Sequence, residues 1–119
     1  MTTQPIVVWT EIPVRDVAKA AAFYDKVFGY TTSIDSSGPQ PMAMLNNTME
    51  GVGASLILGD PAPGTILHIS LPDALEAGIA RAEAAGGKVL TPAVEIPYGR
   101  FVYATDPDGN KIGLFEPKG

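Results

Sequence analysis

One imidazole and one carboxylate in this chain have the types and spacing to move a proton between them. His68 is the only histidine, and an imidazole can both accept and donate a proton. Glu11 occupies the equivalent place in an internal repeat of the chain. A carboxylate holding one ring nitrogen fixes the tautomer and leaves the other nitrogen as a base. The plain alternative is an imidazole bonded to a backbone carbonyl, with Glu11 in water. Trp9, Phe101, Tyr103 and Phe115 fall where they can build an aromatic wall, which suits an aromatic or largely apolar small molecule. The other reading is that some of these rings only fill space. Ser55 and Ser70 add hydroxyls beside them. Arg100, in Tyr98-Gly99-Arg100, is expected in a loop between strands, where its guanidinium could fork onto a ligand carboxylate or stay solvated. Met42, Met44 and Met49 border a hairpin and read as packing or a subunit contact, with adaptable ligand contacts as the alternative. Glu50 and Glu95 lie near turns and read as solvated.

The elements that would position these groups are short. Ile6 to Val14 is β-branched and alternating, a strand with Val7, Trp9, Glu11 and Pro13 on one face. Asp16 stands at an N-cap, and Val17, Ala20, Ala21, Tyr24, Val27 and Phe28 form a helical stripe that Gly29 ends. Tyr30–Ser36, Met42–Asn46 and Gly53–Leu58 read as strands, and residues 59–64 as a linker. Thr65–Leu71 is a strand. Asp73 with Glu76 resembles a capping box ahead of a helix whose stripe is Leu75, Ile79 and Ala82. Lys88–Glu95 is a strand. Asp106-Pro107-Asp108-Gly109 closes the last hairpin, with proline presetting φ and glycine taking the left-handed position. In the strand after it, Ile112 and Leu114 share a core face, while Lys111, Gly113 and Phe115 share a face too mixed for core.

The order repeats. Asp16 to Gly29 and Asp73 to Gly86 have equal spacing; superposing them pairs Glu11 with His68 and Trp9 with Ile66, and aligning the ends of the two halves pairs Ser55 with Gly113 and Leu56 with Leu114. Each half is therefore β-α-β-β-β, too short to bury its own sheet, so two such halves are expected to form one unit. With 119 residues the chain can bury roughly 65% of its unfolded surface as a single domain. The expected modules are residues 1–59 and 65–119, joined by the linker 60–64.

Composition excludes several classes. The net charge is −5 with no basic cluster, so nucleic acid is not an expected partner. There is no cysteine, hence no disulfide or thiolate metal site, and a cytoplasmic home is expected. No basic segment precedes an apolar one at the N-terminus, and no apolar run is long enough to span a bilayer. Gly51-Val52-Gly53 lacks a following helix and carries no phosphate-binding weight.

Three stretches, VRDVAKAAAFYDKVFG, AEAAGGKVL and GRFVYATDPDGNKIGLFEPK, make the chain resemble the vicinal oxygen chelate superfamily. That group holds lactoylglutathione lyase (glyoxalase I), extradiol dioxygenases and bleomycin-resistance proteins, and the likeness is strongest to its poorly characterised bacterial glyoxalase-related members. It implies an α+β fold of two paired βαβββ modules, whose mixed sheet curls into an open barrel around a central cleft, and a homodimer. Metal-using members hold a divalent ion with four side chains, and those positions fall here at Trp9, Ser55, Ile66 and Gly113. None is a typical ligand, so no metal site and no cofactor are expected. Glu11 and His68 lie two residues along their strands from the lost positions, and the resemblance places them facing one cleft.

The leading expectation is thus a metal-free protein that binds a small apolar or aromatic molecule. The alternatives are a glyoxalase-related lyase or isomerase using Glu11 and His68, and a resistance-type protein sequestering a cationic drug.

Overall fold

A computed structural model describes residues 5–48, 51–61 and 64–118. Met49, Glu50 and the linker residues Ala62 and Pro63 lie outside them. The chain divides into two compact units: residues 9–65, and residues 66–119 together with the N-terminal residues through Val8. Each is an α+β module with one helix against a mixed sheet.

The first unit takes in most of β1 (Val7–Val14), then α1 (Val17–Phe28), β2 (Ile34–Asp35), β3 (Met42–Met44) and β4 (Gly53–Leu58). Its strand order is β2-β3-β4-β1, with β1 parallel to β4 and the other pairs antiparallel. The Asp16 carboxylate accepts from the Lys19 N–H at 3.0 Å, and Gly29 turns left-handed at φ 73°. Val17 and Ala21 pack against Ala43 and Leu56 to form the core.

Two expectations are corrected here. Val27 and Phe28 are not in the buried stripe: they are 55% and 57% exposed. Phe28 instead stacks beside Tyr24 and Tyr30, at 6.1 and 5.6 Å between ring centres. The strand foreseen over Tyr30–Ser36 shrinks to Ile34–Asp35. Its first residues bond to side chains instead of a ladder: Thr31 N–H to Asn46, Ser33 N–H to Asn47 and Thr32 N–H to Asp25. Asparagine side chains offer the backbone such an alternative to pairing. Asn46 and Asn47 are themselves left-handed, at φ 56° and 48°, within a short 3₁₀ turn, Leu45–Asn47, that ends β3 early.

The second unit runs β5 (Ile66–Ser70), α2 (Leu75–Ala84), β6 (Lys88–Val89), β7 (Val94–Ile96), β8 (Gly99–Thr105) and β9 (Lys111–Pro117). β5 is parallel to β9, β9 antiparallel to β8, and both β6 and β7 pair with β8. The single strand expected over Lys88–Glu95 is therefore two pieces along one neighbour. Pro92 cannot donate to a ladder, and between the pieces the Thr91 hydroxyl accepts from Tyr103 N–H at 3.1 Å. The last hairpin closes as expected. Asp106 accepts from the N–H groups of Asp108 and Asn110, and Gly109 sits at φ 89°.

The capping box foreseen at α2 does not form. Ala74 is the N-cap residue and has no side chain to offer, while Asp73 is taken by Arg81 in a two-bond pair at 2.7 and 2.8 Å. The cap arrives from far along the chain. Glu116 of β9 accepts from the Leu75 N–H at 2.8 Å, and Arg100 of β8 bonds to both Glu116 and Glu76. One arginine thus ties the end of the sheet to the first turn of the helix, where carboxylates are favoured by the helix dipole.

This cluster makes stability acid-sensitive. Bonding to Arg100 holds the Glu76 carboxyl down at about 2 against an ordinary value of 4.5, and the Leu75 N–H and Arg100 lower Glu116 in the same direction. Depressed carboxylates stabilise the fold above their unfolded-state value, and that contribution is lost as pH falls through the folded one. Between pH 4.5 and 2 the urea midpoint should therefore drop. An Arg100→Ala variant should start lower and show a shallower drop over that range. Equal slopes for the two proteins would refute the link.

Candidate functional site

Strand register decides which side chains share a face. In the first unit Glu11 sits opposite Ser55 and Trp9 opposite Gly53, while Met44 sits opposite Ser55 and Met42 opposite Ile57. Directly opposed residues point the same way. Trp9, Glu11, Ser55, Met42 and Met44 therefore line one face, and Ala43 and Leu56 turn to the helix on the other. The sequence reading took the two methionines as packing or a subunit contact, with adaptable ligand contacts as the alternative, and the register of β3 against β4 puts them on the face that carries Trp9 and Ser55.

The second unit repeats the arrangement. His68 lies opposite Gly113, Tyr103 opposite Gly113, and Phe101 opposite Phe115. His68, Gly113, Phe101, Tyr103 and Phe115 share the face away from α2, whose own side is filled by Leu75, Val102, Ala104 and Leu114. The equivalence of Glu11/Ser55 with His68/Gly113, proposed from counting residues, is thus matched strand for strand.

In each unit a glycine of the last strand forms a bed for a ring from the first. A Cβ on Gly53 would stand 2.7 Å from the Trp9 ring. Trp9 lies across that glycine and donates its indole N–H to the Ser55 hydroxyl at 3.0 Å. A Cβ on Gly113 would stand 2.6 and 2.7 Å from Cε1 and Cγ of His68, and closer still to Nδ1. Gly113 lies in regular strand, so what the site requires of it is space. The imidazole is 4% exposed and packs edge-on against Phe101 and Tyr103, at 4.9 and 5.6 Å between centres. Phe101 and Tyr103 meet edge-on at 5.4 Å, and Lys111 Nζ stands 5.1 Å from the centre of the Tyr103 ring. Glu11, Ser55 and His68 are the buried polar side chains of the described residues. The Ser70 hydroxyl is also shielded from water, without a hydrogen-bond partner among the described residues.

Arg100 is placed elsewhere. It belongs to β8 and not to a loop, its register partner is Glu116, and its guanidinium is bound to Glu76 and Glu116. That is the α2 side of the sheet, opposite the aromatic face.

The residues at the family's ligand positions do not suit a metal ion. Trp9 offers only an N–H donor, Ser55 accepts that N–H, and Ile66 is apolar. The space in which residue 113 would carry a ligand is filled by the His68 ring. Among the described residues no three His, Asp or Glu side chains gather closely enough to hold an ion.

Paired α+β modules with a parallel first-to-last strand contact and a ring-lined face define the class. Residues 6–114 match the model of the Glyoxalase/Bleomycin resistance protein/Dioxygenase superfamily, and the chain belongs to that family. It is 32% identical over 116 residues to "Putative glyoxylase CFP32" of Mycobacterium bovis and of Mycobacterium tuberculosis, covering 92% of this chain. It spans only 43% of the length of those curated relatives. Among solved structures it resembles a superfamily member from Vibrio splendidus, with 20% identity, a TM-score of 0.64 and coverage of 94% of this chain and 99% of that one. A methylmalonyl-CoA epimerase from Streptomyces coelicolor gives 17% identity and a TM-score of 0.65, covering 98% and 100%. At such identities the likeness shows the fold alone. Among the described residues no helix is long and apolar enough to cross a membrane.

If the ring beds are what fix this face, Gly113→Ala should cost about 1–3 kcal/mol, the usual range for overpacking a filled site. The His68 ring resonances should move with it. A variant as stable as the parent, with an unshifted imidazole, would show that the space is not needed.

Proposed function

We propose that this chain is a metal-independent member of its family that binds a small aromatic or largely apolar molecule on the ring-lined face. The observation that carries this reading is the imidazole seated on Gly113. It puts an apolar-flanked ring where a ligating carboxylate would stand, and it makes restoring that carboxylate sterically costly. Phe101 and Tyr103, both half-buried, supply flat apolar surface. His68 and Ser70 supply the few polar groups that orient a bound molecule in such sites. The protein purified without chelators should carry no stoichiometric zinc, nickel, manganese or iron by elemental analysis. A bound ion at one equivalent would overturn the reading. 1-Naphthol should bind, and Tyr103→Ala should weaken it at least severalfold.

A second reading is favoured by the burial of Glu11 and His68 at matching register positions. Each is a titratable side chain held away from water within its own unit, and such groups serve as general acids and bases. In it the chain is a glyoxalase-related lyase or isomerase in which these two residues move the proton. Turnover of a hemithioacetal, lost in both Glu11→Gln and His68→Ala with folding intact, is the expected outcome. Turnover unchanged in both variants would remove these residues from the mechanism.

A further inference from the structure

We propose that a recess in the first unit, at the outer hairpin of β2 and β3, is a separate binding site for a small cation with an apolar body. The recess has a volume of about 300 Å³ and is lined by Ser33, Ile34, Asp35, Met42, Met44 and Asn47. That is the lower end of the range for small-molecule pockets.

Its floor is apolar and uncovered. Met42, 40% exposed, and Met44, half-buried, stand on the face of β3 that Asp35 shares across the β2–β3 pair. Unbranched thioether side chains adapt their shape and are polarisable, which suits contact with a soft, weakly hydrated cation. The wall is rigid. Asn47 is left-handed at φ 48°, accepts from the Ser33 N–H and hydroxyl, and donates to the Thr31 carbonyl at 2.8 Å. A molecule entering the recess therefore meets a preformed edge.

Charge selects the occupant. Among the described residues of the lining Asp35 is the only charged one, and it stands directly across from Met42 in the β2–β3 pair. Its Oδ1 accepts both the N–H and the hydroxyl of Ser37, at 2.9 and 2.6 Å. These bonds hold the carboxyl below its ordinary range, so it is anionic at neutral pH. Oδ2 takes no bond among the described residues and is left to a ligand. The net charge of −5 acts in the same direction. An anionic ligand would meet repulsion from Asp35, and a neutral one would gain at most a hydrogen bond without the charge attraction.

The probe is benzyltrimethylammonium, added to protein carrying ¹³C-methyl methionine and followed by NMR. The methyl signals of Met42 and Met44, assigned with Met42→Leu and Met44→Leu, should shift together and saturate. Asp35→Asn should weaken binding about three- to fivefold, in keeping with an exposed charge pair. Uncharged benzyl alcohol should bind no better than that variant does. Equal binding to Asp35→Asn, equal binding of benzyl alcohol, or movement of signals other than those of Met42 and Met44 would each overturn the proposal. Tyr103→Ala should leave these shifts unchanged, so failure of the aromatic-face reading and failure of this one are separately visible.

Discussion

The His68 ring lying on Gly113 is the contact around which the second module is built. A buried imidazole needs a flat surface beneath it and partners at its edges, and β9 supplies the first while β8 supplies the second. Gly113 removes a side chain from the middle of the sheet, so the ring approaches the backbone. Phe101 and Tyr103 then close around it edge-on, the arrangement that aromatic quadrupoles favour. Filling the gap at residue 113 would disturb all three rings at once.

The first module reaches a similar end by other means. Trp9 lies on Gly53 and is fixed by the Ser55 hydroxyl, so a donor and an acceptor consume each other where metal-using relatives place ligands. One fold can host many chemistries, because function lives in the site and not in the scaffold. Here Leu56 and Leu114, equivalent in the repeat, keep the helix sides closed. The opposite faces have diverged, into a tryptophan and serine in one unit and a histidine and glycine in the other.

Much of this was readable from residue order. The two module patterns, the caps at Asp16 and Gly29, the Asp106–Gly109 turn and the equivalence of Ser55 with Gly113 all depend on local sequence. Local rules failed where a distant group outcompeted the nearby one. Asp73 looked like a cap, but Arg81 in α2 binds it, and Glu116 caps α2 from the end of the chain. Tyr30–Ser36 looked extended, but Asn46 and Asn47 bonded its backbone first. Val27 and Phe28 fit the helical stripe, yet a period says which residues align and not how much sheet lies beneath them. Arg100 looked like a free loop cation, because nothing local shows that two carboxylates await it.

The sequence by itself determined that this is a paired-module α+β protein, and that the residues at the family's metal positions are an indole, a hydroxyl, an alkyl group and a hydrogen. The first conclusion needs only side-chain chemistry and period, and the second rests on the resemblance to the family. Tertiary structure decided what fills the vacated space, because a glycine's neighbour across a parallel strand pair is set by register and not by spacing along the chain. It also placed Met42 and Met44 on the face that carries Trp9 and Ser55, since one step of register would have turned both toward α1.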